Sequence, residues 1–358
     1  MKICYFGNFN PDYSRNRVII RGLQENGVEI LICHTALKGL KGLWDLFKKH
    51  SNIKNKYDIL IVGYSDSRTM VLFIKLISGK KIVWDAFYSL YDSWVFDRKL
   101  VPPKSLKAGY YWFLDWFNCK LADLILLDTN IHIDYFSKTF GIKNSKFIRV
   151  FVGTVDSMFY PKPVQKTSDK FLVHFHGNFI PLQGVEYIIR AAGLLSNQDI
   201  QFQIIGQGQD YKRIKKIATE LNLKNIIWID RVAYEELSDY INKADICLGI
   251  FGETEKGKRV IPNKVYEAIA MSKPLISADT PAMRELFTNG EGVLFCKLVD
   301  SQDLAIKILE LKNNEKIRNK IALDGYELFK KIAIPSKVVL SLMNYFSTTA
   351  QEFKNSSK

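Results

Sequence analysis

Short runs of β-branched and aliphatic residues alternate along the chain with longer stretches whose apolar positions recur every three to four residues. Strands are predicted at 1–6, 28–33, 57–63, 81–84, 123–127 and 147–150. Between the first two, residues 14–26 place Val18, Ile19 and Leu23 on one helical face. This βαβ rhythm predicts a mostly parallel sheet with helices on both faces.

A second series starts after Tyr160, where Pro161, Pro163 and the polar stretch 165–170 break the rhythm. Its strands are predicted at 171–176, 200–205, 226–229, 246–250, 274–277 and 292–295, with helices near 185–195, 210–221, 234–242 and 264–271. Amphipathic helices are expected at 302–310, 315–328 and 336–346, followed by a frayed tail over 348–358. The division is therefore an N-terminal domain over 1–160, a second domain over 161–330, and a C-terminal helix and tail over 331–358 packing back on the first domain. The fold class is α/β, with two doubly wound Rossmann-like domains facing across a cleft at the carboxyl ends of their strands.

The 358 residues, 47% hydrophobic and 25% charged, exclude wholesale disorder and fibrous architectures. Charge is the unusual quantity: 51 Lys and Arg against 37 Asp and Glu leave +14. Residues 1–160 hold 23 basic and 14 acidic side chains, or +9, leaving +5 for the rest. Such a surplus points toward an anionic partner, and nucleic acid, a phosphorylated small molecule and acidic lipid all qualify. The five cysteines are scattered without metal-ligand spacing, which reads as reduced core thiols in a cytoplasmic protein. The opening residues lack a signal-peptide pattern, and no apolar run reaches the ~18 residues of a membrane span.

The strongest chemical constellation is RVIPNKVYE over 259–267. It follows a glycine-bearing loop and an apolar strand, so Arg259, a helix start near Pro262, Lys264 and Glu267 converge where a strand ends. Cations and a helix N-terminus suit phosphate oxygens, and a carboxylate accepts hydrogen bonds from ribose hydroxyls. An ordinary surface ion pair between Lys264 and Glu267 is the competing reading.

HGNFIPLQGVEYIIRA (176–191), IIGQG (204–208), WIDRV (228–232), LSDYINKAD (237–245) and VYEAIAMSKP (265–274) occur in this order, with VGTVDSMF (152–159) before them. In these pieces the chain resembles the retaining, nucleotide-sugar-dependent glycosyltransferases of family 4, or group 1, which have the GT-B fold. The resemblance covers about 150–300 and is looser in the N-terminal half. It implies that Glu267 holds the ribose and that Gly177, Asn178, Gly206, Gly208, Asp230, Arg231 and Val232 line the nucleotide pocket. Two departures stand out. The family's first glutamate of an E-x7-E pattern is Arg259 here, and the basic pair of a G-R-x4-K-G pattern is Asn178 and Gln183. Arg259 and Lys264 are therefore expected to take over the diphosphate, with Glu253 or Glu255 as candidates for the sugar. Preorganised cations stabilise a departing nucleoside diphosphate most in the transition state. No D-x-D occurs, so neither a metal nor another cofactor is expected beside the nucleoside-diphosphate sugar co-substrate.

In the first βα turn, Gly7 allows a tight bend and Asp12 or Ser14 is expected to cap the helix, leaving Arg15 and Arg17 on the acceptor or phosphate side. Asp85, at a strand end, is placed where relatives carry a sugar-contacting histidine, and joins Arg259, Lys264 and Glu267 as a catalytic candidate. His174 is expected to be a satisfied core residue. Residues 84–117 interleave twelve aromatics with lysines, readable as helix core, as an anionic membrane contact or as a site for a polyprenyl-linked acceptor. No nucleic-acid-binding motif occurs. The expected activity is transfer of a sugar from a nucleoside diphosphate to a glycan or lipid-linked acceptor at the inner membrane face. A sugar-nucleotide epimerase and a non-catalytic scaffold of the same architecture are the alternatives.

Overall fold

A computed structural model describes residues 1–65, 67–164 and 169–356. Part of the polar linker (165–168) and the last two residues of the tail lie outside the described residues. The chain divides into two compact units. The first comprises Met1–Val95, Leu100–Val155 and Ile334–Lys358, and the second Phe96–Lys99 and Asp156–Ala333.

The first unit is built on six parallel strands: β1 (Lys2–Gly7), β2 (Glu29–His34), β3 (Ile59–Val62), β4 (Ile82–Asp85), β5 (Leu124–Leu127) and β6 (Phe147–Arg149), in the order β2-β1-β3-β4-β5-β6. Inner strands such as Ile59–Val62 are continuous apolar runs because helices cover both faces. The connecting helices are α1 (Ser14–Glu25), α2 (Gly39–Ser51), α3 (Met70–Ile77), α4 (Leu106–Leu121) and α5 (Asn130–Phe140). Helix α5 shows why its segment folds locally: the Thr129 hydroxyl accepts the His132 backbone N–H, and Gly141 ends the helix at φ 61°. The expected cap of α1 is not made; Tyr13 occupies the cap position, with no side-chain hydrogen bond.

After the second unit the chain returns as α12 (Pro335–Val338) and α13 (Leu340–Ser356), so helix continues where the tail was expected to fray. Asn26 Nδ2 donates to the Ser336 carbonyl at 2.9 Å, and Ser341 Oγ to the Arg149 carbonyl at 2.9 Å. A Cβ at Gly22 would lie 2.2 Å from the Pro335 carbonyl oxygen, so α1 approaches this return only because that residue is glycine.

The second unit holds seven strands, β7 (Phe171–His176), β8 (Ile200–Ile205), β9 (Ile226–Ile229), β10 (Ile246–Leu248), β11 (Leu275–Ala278), β12 (Thr288–Asn289) and β13 (Gly292–Cys296), ordered β12-β13-β11-β10-β7-β8-β9. Helices α6 (Val185–Leu194), α7 (Tyr211–Glu220), α8 (Leu237–Lys243), α9 (Asn263–Ala270), α10 (Ser301–Asn313) and α11 (Glu315–Leu328) accompany them. One apolar core, including Val173, Phe175, Phe202, Ile204 and Ile246, runs through this sheet. The carboxyl ends of β7, β8 and β9 run directly into Gly177, Gly206 and Asp230.

Candidate functional site

The site assembles at those strand ends within the second unit. Gly206 (φ 141°) lies against the turn after β7; a Cβ there would sit 1.9 Å from the Gly177 carbonyl oxygen. Gly177 (φ 153°) in turn leaves room for Lys264, whose Nζ would be 2.7 Å from a Cβ at that position. The strand-end loops therefore close on one another through glycines, and the amine of α9 enters between them.

Lys264 and Glu267 are not a surface ion pair. They are 5% and 2% exposed, and each has its own partners. Lys264 Nζ donates to Gln183 Oε1 and lies 3.7 Å from the centre of the Phe175 ring. Burial drives its pKa well below the usual lysine value, opposed by the nearby Glu267 charge. Gln183 occupies the second basic position of the G-R-x4-K-G pattern, so an amine from α9 reaches the place where that pattern has one.

Glu267 is gripped on both carboxylate oxygens. Tyr234 Oη donates to Oε1 at 3.0 Å, and His176 Nε2 lies 2.7 Å from Oε2. Behind His176 a chain of bonds fixes every proton. Gln203 Nε2 faces the Tyr240 carbonyl at 3.3 Å, which only accepts, and His174 Nδ1 at 2.7 Å. The amide nitrogen therefore donates to His174 Nδ1, leaving the His174 proton on Nε2. That N–H donates to His176 Nδ1 at 2.9 Å, which leaves the His176 proton on Nε2, pointing at Glu267. Burial, with His176, Lys264 and Lys273 nearby, pushes the His174 pKa well below 6.5, so its neutral form is favoured.

His174 is buried and bonded on both ring nitrogens, as expected of a satisfied core residue, and His176 at the end of β7 reaches Glu267. Gln203 and Tyr234 are the residues that sequence reasoning missed. The detectable signal was polar alternation in apolar strands: His174 and His176 on β7, and Gln203 on β8 in direct register with His174.

Asn178, Asp230 and Arg231 are exposed at the same strand ends, and Val232 is half-buried. Asp230 accepts from Tyr211 Oη at 2.9 Å. Arg259 stands three residues before the α9 cap, its side chain 12% exposed and Nη1 3.9 Å from Glu255 Oε2. Glu255 also accepts from Lys258 at 2.7 Å, whereas Glu253 is exposed on the rim of a cavity of about 250 Å³ lined by Gly184, Arg213 and Gly252.

The candidates of the first unit require correction. Arg15 and Asp85 are both fully buried and engage each other, with Arg15 Nη2 2.9 Å and Nε 3.1 Å from Asp85 Oδ1. Arg15 Nη1 also donates to the Val150 carbonyl at 2.6 Å. The pair ties α1 to the ends of β4 and β6, and neither side chain has a free edge to offer a sugar or phosphate. Arg17 is directed to Asp12 at 2.9 Å, and Gly7 (φ 134°) turns the chain after β1. Of the aromatic segment 84–117, Trp84 is buried and Trp112 and Trp116 pack on the core, whereas Tyr110 and Phe113 are exposed. Among the described residues, no group of three or more His, Cys, Asp or Glu side chains is arranged to hold a metal ion.

Residues 156–328 match the sequence profile of the family described as glycosyl transferases group 1. An uncharacterized glycosyltransferase of Methanocaldococcus jannaschii is 30% identical over 159 residues, which are 44% of this chain and 43% of that protein. A glycosyl transferase named for colanic acid biosynthesis in Escherichia coli is 27% identical over 103 residues, 29% of this chain and 25% of its own length. The matched stretches thus span less than half of these relatives. Anabaena HepE, solved in complex with UDP and glucose, superposes with TM-score 0.72 at 14% identity, covering 97% of this chain and all of that one. Sucrose-phosphate synthase of Thermosynechococcus elongatus gives 0.73 at 13% identity, over 98% and 99%. These likenesses show a shared two-domain GT-B fold. The stretch that matches the glycosyl transferases group 1 profile, residues 156–328, is thus also the stretch whose strand ends and α9 form the site.

Proposed function

We propose that the protein transfers a sugar from a nucleoside diphosphate to an acceptor hydroxyl with retention at the anomeric carbon, without a metal ion, in the synthesis of a surface polysaccharide or lipid-linked glycan at the inner membrane face. The observation that carries this reading is Glu267, a buried carboxylate held on both oxygens beside the buried amine of Lys264. A carboxylate so oriented accepts hydrogen bonds from ribose hydroxyls without reorganising. Lys264, where loops from Gly177 and Gly206 meet, is placed for a diphosphate oxygen, with Arg259 as a second cation.

Burial lowers the Lys264 pKa and the Glu267 charge opposes it, and the negative charge of a bound diphosphate would favour the protonated amine further. A protonated amine then stabilises the charge that grows on the leaving phosphate as the anomeric bond breaks. The UDP and glucose held by Anabaena HepE, and the colanic acid relative, support a sugar-nucleotide donor and a glycan product.

The test is a panel of nucleotide sugars assayed for nucleotide release, with membrane extract as acceptor and EDTA present. Acceptor-dependent release from at least one donor is expected. Release from none, donor conversion without acceptor, or abolition by EDTA contradicts the corresponding part of the reading.

A further inference from the structure

Among the described residues, the helices on one face of the first unit's sheet carry an uncovered apolar surface. The step from β1 to β2 moves one way along the sheet, and every later step moves the other way. Right-handed crossovers therefore put α1 on one face and α2, α3, α4 and α5 on the opposite face. The α1 face is covered by α12.

Helix α2 buries Gly42, Leu46 and His50, and Leu43 packs against the core beside them. Leu40 (83% exposed), Trp44 (59% exposed) and Phe47 stand outward at i, i+4 and i+7, and Trp44 stacks on Phe47 with ring centres 5.6 Å apart. In the same layer α3 exposes Leu72 and Leu76, and α4 exposes Leu106, Tyr110 and Phe113, again at i, i+4 and i+7. In the second unit Leu194, Ile227, Ile306 and Leu323 are exposed on four separate elements, and Leu221 just past the end of α7. Scattered leucines need no partner, whereas the exposed ridge of Leu40, Trp44 and Phe47 on one face of α2 marks an interaction surface.

Charge identifies the partner. Residues 38–56 contain six lysines and one acidic residue, Asp45; this +5 is more than half of the +9 carried by residues 1–160. Lys48 lies 5.2 Å from the Trp44 ring centre, so cation and apolar plane are presented together. A second copy of the chain would bring the same lysines against themselves. No helix among the described residues is long and apolar enough to cross a membrane. We propose that α2, extended by α3 and α4, is a docking surface for an anionic lipid bilayer. Leu40, Trp44 and Phe47 enter the acyl boundary, and Lys38, Lys41 and Lys48 meet headgroup phosphates. This deepens the reading of a lipid-linked acceptor, and its test measures binding without turnover, so either can fail alone.

The experiment is cosedimentation of the full chain with phosphatidylcholine vesicles, with and without phosphatidylglycerol. Wild type is expected to partition at least tenfold more strongly onto the phosphatidylglycerol vesicles at about 0.1 M salt, and to be released at about 1 M, where the screening length falls from about 10 to about 3 Å. The exposed double variant Trp44→Ser/Phe47→Ser is expected to lose at least tenfold in partition with unchanged thermal unfolding. Leu194→Ser/Leu221→Ser is expected to bind as wild type. Equal binding to both vesicles, no binding, or wild-type binding by the Trp44/Phe47 variant overturns the proposal. So does a dimer that this variant dissociates in the absence of vesicle binding.

Discussion

Replacing His176 by leucine isolates the contribution of the bonded chain behind Glu267. The substitution removes a 2.7 Å donor to a carboxylate that is 2% exposed, and leaves the Tyr234 hydroxyl donating to its other oxygen. A hydrogen bond to a charged group is worth about 1.5–3 kcal/mol. If that orientation is what the ribose hydroxyls meet, nucleotide affinity falls about 10- to 150-fold, at 1.4 kcal/mol per factor of ten. Calorimetric titration with UDP or GDP, whichever binds wild type, measures this directly. The 2′,3′-dideoxy nucleotide supplies the control, because it lacks the hydroxyls Glu267 would hold. Wild type is expected to prefer the ribonucleotide, His176→Leu to bind both forms alike, and His176→Gln, which keeps an N–H donor, to recover the preference. A His176→Leu protein that binds the ribonucleotide as wild type does, or one weakened equally for both forms, refutes the reasoning.

Other outcomes follow from the same contacts. Lys264→Met is expected to weaken nucleotide binding, read by calorimetric titration. The folded Lys264 pKa lies below 10.5, so the unfolded chain binds more protons between the two values and stability rises with pH through that window; Lys264→Met should remove that rise in thermal unfolding. His174 is likewise depressed below 6.5, so its contribution to stability is lost as pH falls from 6.5 toward the folded value, and a pH series of melting temperatures of wild type and His174→Gln checks it. Asp85→Ala strands the buried Arg15 guanidinium and is expected to cost about 3–5 kcal/mol in urea unfolding. Unchanged stability would return Asp85 and Arg15 to the ligand-facing role that the sequence reading gave them.

The strands were legible because a parallel sheet buried on both faces writes itself as apolar runs, from Ile59–Val62 to Leu275–Ala278. Glu267 and Lys264 were legible because their chemistry lies within four residues of one helix. What escaped was tertiary. Arg15 and Asp85 each look like ligand-binding groups, and only the fold brings together side chains 70 residues apart so that they satisfy each other. Lys264 reaches Gln183 across 81 positions. The histidines looked inert because their role depends on register: His174 faces Gln203 only once β7 and β8 pair. Helix α2 was overlooked because Gly39, Gly42 and three lysines interrupt its apolar stripe.

The central claim is that the Glu267 and Lys264 site activates a sugar nucleotide for transfer. It is tested most directly by measuring, in one reaction with membrane extract, nucleoside diphosphate released and labelled sugar incorporated, for wild type and Glu267→Ala. The account predicts equimolar release and incorporation by wild type from at least one donor, and loss of both by at least a hundredfold in Glu267→Ala, with circular dichroism checking that the variant is folded. Incorporation by Glu267→Ala at the wild-type rate, or no incorporation by wild type from any donor, would contradict it.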